Sequence, residues 1–153
     1  MRLHGEHHLL PGDATQEIRN WPVALLGPTR EGRQGDRRTA SGGTGVVASR
    51  PGTQGPLRIP VDIPDDWAHR VYFATVPASS SPTGTDVQVC SVYGWPGGGA
   101  SAATRAATSE LVAWALEALS ARPGDWLFGG DLNCPAGLLP SLQRRVEAGE
   151  VWA

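Results

Sequence analysis

The sequence predicts an α+β domain, and three observations carry that expectation. Short apolar runs recur at Val71–Val76, Val87–Gly94 and Trp126–Phe128, and such runs read as strands. Between the second and third lies one long amphipathic stretch, 101–121. Its Ala107, Leu111, Trp114, Ala115, Ala118 and Leu119 recur at helical spacing and form a single apolar stripe. Gly129-Gly130-Asp131-Leu132-Asn133-Cys134-Pro135 then leaves the last strand through two glycines.

That last stretch organises the rest of the chain. Residues two apart on an extended backbone share a face, so the Asp131 carboxylate and the Asn133 amide project together from a strand end. Open α/β sheets set their chemistry at such ends. Pro135 stops further ladder pairing. Gly, Asp, Asn and Pro are also turn formers, each for its own reason, so the stretch reads either as a turn or as a site until its context is added.

Composition bounds the answer. A chain of 153 residues makes one domain or part of a larger one. With 20 Gly and 13 Pro, loops are plentiful. Net charge is −2 and the pI is near 6.0, which gives no global electrostatic case for a polyanionic partner but leaves room for a local basic groove. All 13 basic residues are Arg, the side chain suited to bidentate phosphate contacts. Cys90 and Cys134 have no metal-ligand spacing and build no disulfide framework, so a reducing, intracellular setting is expected. No apolar run approaches the ~18–20 residues of a membrane span and none resembles a signal peptide, so no membrane partner is expected.

In chain order, residues 1–10 place His4, His7 and His8 around Glu6. They read as a metal site on Glu6 or as a solvated His-rich turn, and no second ligand set with zinc-like spacing supports the first reading. Asp13 to Trp21 suits a short helix capped by Asp13, with Ile18 and Trp21 at helical spacing. Residues 27–45 read as a long loop carrying Arg30, Arg33, Arg37 and Arg38, either phosphate-facing or simply solvated. The glycine group Ser41-Gly42-Gly43-Thr44-Gly45 is no P-loop, because the Gly-Lys-Ser/Thr ending is missing. Val46–Arg50 reads as a strand, Ser79–Gly84 as a turn, and Leu138–Val146 as a short helix with Pro140 near its start. Tyr93, at the end of its strand, reads as a phosphate donor or as an aromatic covering the sheet edge.

Strand, Tyr-Gly-x-Pro loop, amphipathic helix, strand and Gly-Asp-Leu-Asn follow one another in an order that resembles the endonuclease/exonuclease/phosphatase superfamily, the fold of DNase I and apurinic endonucleases. Val89–Gly94 and Gly130–Asn133 carry the likeness. Ser41–Ala48 resembles the family's Ser-Gly-Gly-x-Ala strand, and Leu3–His8 its Leu-x-Gln-Glu segment with Gly5 in place of Gln. The resemblance implies a partial four-layer α/β sandwich, two packed β-sheets flanked by helices, spanning 1–153. The family's N-terminal Asn strand and C-terminal Asp-His segment are expected to lie outside it. It implies Mg²⁺- or Mn²⁺-dependent hydrolysis of a phosphoester, most simply in nucleic acid, with retroelement-type endonucleases as the subfamily. Glu6 would hold the metal, with Glu17 as its rival. Asp131 would activate water, Asn133 and Tyr93 would donate to phosphoryl oxygens, and Arg37 and Arg38 would contact the polyanion. Glu6, Tyr93, Asp131 and Asn133 are therefore expected to converge. No His follows Asp131, so the family's acid–base His has no counterpart. The hydrolysis is therefore expected of the longer parent domain, and this chain by itself is expected to be at best very weakly active. That leaves a second expectation, a non-catalytic remnant or interaction module of the same fold.

Overall fold

The computed structural model describes residues 2–4, 23–26, 28–34, 37–41, 43–48, 57–81 and 83–150. Its strands are β1 (Arg2–His4), β2 (Val23–Leu26), β3 (Arg30–Gln34), β4 (Arg37–Ser41), β5 (Gly45–Ala48), β6 (Leu57–Arg58), β7 (Val71–Val76), β8 (Val87–Tyr93) and β9 (Asp125–Asp131). The helices are α1 (Ala102–Ser120) and α2 (Pro140–Glu147). The molecule is α+β. The expected helix at Asp13–Trp21 lies outside the described residues.

The strands form a four-stranded sheet β6-β7-β8-β9, a three-stranded antiparallel sheet β1-β5-β2 and the hairpin β3-β4. β7 and β8 pair antiparallel, Val71 opposite Val92 and Val76 opposite Val87. β8 and β9 pair in parallel from Val87 opposite Asp125 to Tyr93 opposite Asp131. A parallel pair cannot be joined by a tight turn, and α1 supplies the crossover. Ser101 caps α1 by accepting from the Thr104 N–H, which satisfies one of the helix's orphan donors. Pro140 begins α2 at its first turn, where its missing N–H costs nothing.

α1 covers one face of the four-stranded sheet. Leu111, Ala115 and Leu119 pack with Val71, Phe73, Cys90 and Val92, and Trp114, Trp126 and Phe128 close the margins. Trp114 meets the rings of Trp67 and Phe73 edge-on, with centroids 5.5 and 5.8 Å away. The buried arc of the helix differs from the expected stripe. Thr108, Val112 and Leu116 are buried as well, whereas Ala107, Trp114 and Ala118 are half-buried. The reason is a second neighbour: Val112 and Leu116 pack with Leu139 and Leu142 of the α2 segment, which widens the arc beyond what one sheet contact requires.

The opposite face carries Tyr72, Ala74 and Val89. β1 lies against β8 and β9, and β5 against β7 and β8, so the three-stranded sheet stacks on this face. The expected loop at 27–45 is mostly strand. Arg30–Gln34 and Arg37–Ser41 form a hairpin in which Arg33 pairs with Arg38, and its Arg, Gly and Thr residues lack the apolar alternation by which strands are read.

Candidate functional site at the strand ends

β8 and β9 end side by side, so their parallel register brings Tyr93 and Asp131 together at one rim of the sheet. The chain leaves β8 through Tyr93-Gly94-Trp95, and these residues connect three elements. The Tyr93 N–H donates to the Arg70 carbonyl just before β7 (2.7 Å), and the Gly94 N–H to the Asp131 carbonyl on β9 (2.8 Å). The Trp95 N–H donates to Thr108 Oγ1 on α1 (3.0 Å). Gly94 is required here, because a Cβ would collide with the Leu132 carbonyl.

β9 ends in a matching way. Gly130 adopts φ +140°, and a Cβ would collide with the Val92 backbone of the adjacent strand; only glycine takes that conformation at that approach. Asp131 is exposed. Its Oδ1 accepts from the Asn133 N–H at 2.9 Å, an Asx turn. Asn133 sits at φ 52°, a left-handed conformation that Asn tolerates better than most residues. Its Nδ2 donates to the Gly94 carbonyl at 3.1 Å. Gly-Gly-Asp-Leu-Asn is thus both a turn and a device that holds a carboxylate and an amide against the end of β8.

Tyr93, Asp131 and Asn133 are therefore neighbours. Tyr93 is only 6% exposed, with the Arg70 guanidinium over its ring at 5.4 Å. Glu6 and its rival Glu17 lie outside the described residues. β1, the strand before Glu6, ends at His4 opposite Gly45. The Gly43 N–H donates to the His69 carbonyl at 2.7 Å, and His69 adjoins Arg70, whose carbonyl accepts from Tyr93. β1 thus ends at the rim that holds Tyr93 and Asp131. Arg37 and Arg38 lie on β4, and their side chains are outside the described residues.

Reading the sequence residue by residue missed Arg70, Trp95 and His69. Arg70 stacks over Trp95 at 4.4 Å as well as over Tyr93. Pairing the two predicted strands across the Ser79–Gly84 turn would have found it, since Val71 opposite Val92 puts residue 70 beside residue 93. Burial above all, then the charges of Arg70 and Arg30, hold the His69 imidazole below its ordinary 6.5, against an opposing pull from Asp66. The rim thus carries the Arg70 and Arg30 guanidinium groups and the buried His69 imidazole, with the exposed carboxylates of Asp131 and Asp66 nearby.

Among the described residues no three His, Cys, Asp or Glu side chains cluster as a metal site. A magnesium ion asks less than that, one or two carboxylates with waters and substrate oxygens completing its shell. Asp131, an exposed oxygen donor at the rim, fits such an ion. Elsewhere, a groove of about 400 Å³ between α1 and α2 is lined by Arg105, Ser109, Glu110, Ser141 and Arg144 among others. Most of its polar groups have partners, and Glu110 is exposed. Ser109 and Ser141 hydroxyls bond each other at 3.0 Å, Arg105 donates to the Gly98 carbonyl and Arg144 to the Pro140 carbonyl. The rim, where a carboxylate and an amide are held against the end of a parallel strand pair, is the better candidate for chemistry. No helix among the described residues is long and apolar enough to cross a membrane. No protein-family model, no curated protein and no solved structure matches this chain.

Proposed function

We propose that the chain is a DNase I-like phosphoesterase domain, a nuclease acting on phosphodiester bonds in nucleic acid, with the β8/β9 rim as its site. The observation that supports this reading is the clustering of Asp131, Asn133 and Tyr93 at the shared end of a parallel strand pair. Asp131 is the general base, its exposed carboxylate taking a proton from the attacking water. Asn133 donates one N–H to Gly94, and the second is the donor for a phosphoryl oxygen as charge builds there. Arg30 and Arg70 raise the local positive potential that draws in a polyanion. Glu6 would hold a Mg²⁺ or Mn²⁺ ion, which would supply charge neutralisation when bound.

A second reading, a non-catalytic module of the same fold, is favoured by the burial of His69. This imidazole, beside the rim, is only 8% exposed and so is badly placed to serve as an acid or base. The deciding experiment incubates the purified chain with supercoiled plasmid, single-stranded RNA and an aryl phosphate in Mg²⁺ or Mn²⁺, beside Asp131→Asn. Weak metal-dependent cleavage, well below ordinary enzyme rates of ~1–10³ s⁻¹, that is lost in the variant is the expected result. Equal rates for both proteins would leave the non-catalytic module.

A further inference from the structure

We propose that Arg70 is the positioning residue of this rim, acting through the Gly94 carbonyl to fix Asn133. This role deepens the phosphoesterase reading and rests on it for its catalytic meaning. Arg70 Nη1 donates to the Gly94 carbonyl at 3.3 Å and to the Tyr93 carbonyl at 3.4 Å. Both bonds are long, so by themselves they hold weakly. The stronger restraint is the stack: the guanidinium lies 4.4 Å from the Trp95 ring centroid and 5.4 Å from that of Tyr93, within the range where cation–π attraction is significant. Arg70 is partly buried, which strengthens the attraction by removing competing water.

The Gly94 carbonyl is the shared part. It accepts from Arg70 at 3.3 Å and from Asn133 Nδ2 at 3.1 Å. Its two lone pairs are thus divided between a residue at the start of β7 and the amide on the turn after β9. A shift of the Tyr93-Gly94-Trp95 segment would carry the Asn133 acceptor with it. Displacement of a catalytic group by about 1 Å can cost ~10²-fold in rate, so a residue that touches no substrate controls the site by holding this carbonyl. Lysine would keep the charge but lose the planar stack and the forked donors.

The test follows the amide itself. In ¹⁵N-labelled protein, Arg70→Lys and Arg70→Ala are expected to shift the Gly94 backbone and Asn133 side-chain resonances. Exchange of the Asn133 Nδ2 protons should quicken by about 10-fold. Resonances of Leu111 and Leu116 in α1 should stay in place, which shows that the fold survives. Trp95→Phe, which keeps Arg70 and an aromatic ring, should give a smaller shift of the same peaks. If the wild type turns over phosphoester, Arg70→Lys should lower kcat by ~10–100-fold while KM moves within about threefold. Unchanged Gly94 and Asn133 peaks in both Arg70 variants would overturn the positioning role. Shifted peaks in a protein with no turnover would keep the role and remove the phosphoesterase reading instead.

Discussion

The two faces of the four-stranded sheet are closed by different means. On one, Val71, Phe73, Cys90 and Val92 are covered by Leu111, Ala115 and Leu119 of a single helix that follows β8 directly in the chain. On the other, Tyr72, Ala74 and Val89 need β1 and β5, from the opposite end of the sequence. The second face also thins toward its edge. Leu127, opposite Val89 in the parallel register, is 43% exposed. One face is thus assembled from near neighbours and sealed by a continuous helix, the other from distant short strands. Stability should be concentrated on the first, and the rim lies where the two meet.

Leucines on the two faces give the sharpest test. Leu111→Ala, at a fully buried position, should cost about 3–5 kcal/mol in a urea unfolding experiment, the range for a core Leu left as a cavity. Leu127→Ala should cost about 1–1.5 kcal/mol, because 43% of its surface stays in water. Similar losses at both positions would erase the distinction between the faces. A smaller effect bears on the join between α1 and the rim. Thr108→Val keeps the shape of a fully buried side chain but removes the oxygen that accepts from the Trp95 N–H. Leaving that donor unpaired should cost about 1–3 kcal/mol, and a change under about 0.5 kcal/mol would mean the segment finds another acceptor.

The smallest expected effect is in pH. The pKa of His69 in the folded chain lies below its ordinary 6.5, so below pH 6.5 the unfolded chain binds the proton first. The contribution of His69 to stability is whole above pH 6.5 and declines as pH falls toward the lowered folded value, by at most about 1.4 kcal/mol per pH unit. Comparing stability at pH 7.5 and 5 in wild type and His69→Gln should show a shallower acid slope in the variant. Equal slopes would mean that His69 titrates no differently on folding.

The same division governs what could be read in advance. The helix-backed face was legible because its signals are local: strands at 71–76 and 87–93, a helix within a residue of its predicted ends, and Pro140 opening α2. The strand exit at Asp131 and Asn133 was legible because two glycines, two turn-forming polar residues and a proline follow an apolar run. Thr108, Val112 and Leu116 were missed because a single apolar stripe presumes one packing partner, and α1 has two. The β3-β4 hairpin was missed because backbone pairing between Arg- and Gly-rich segments leaves no periodic trace. Arg70 became visible only through cross-strand register, which a reading of one segment at a time does not supply.

The parallel pairing of β8 with β9 has a kinetic consequence. Tyr93 and Asp131 are register partners with the whole of α1 between them in the chain. Their meeting is a loop closure whose entropic cost falls due before any contact at the rim rewards it. The β7–β8 ladder, joined by a short connection, needs no such closure. A partial opening that releases α1 and β9 together could leave that ladder intact while parting Gly94 from Asp131 and Asn133, and Trp95 from Thr108. The candidate site would then belong to a cooperative unit smaller than the domain, and its occupancy would follow the free energy of that opening rather than that of global unfolding.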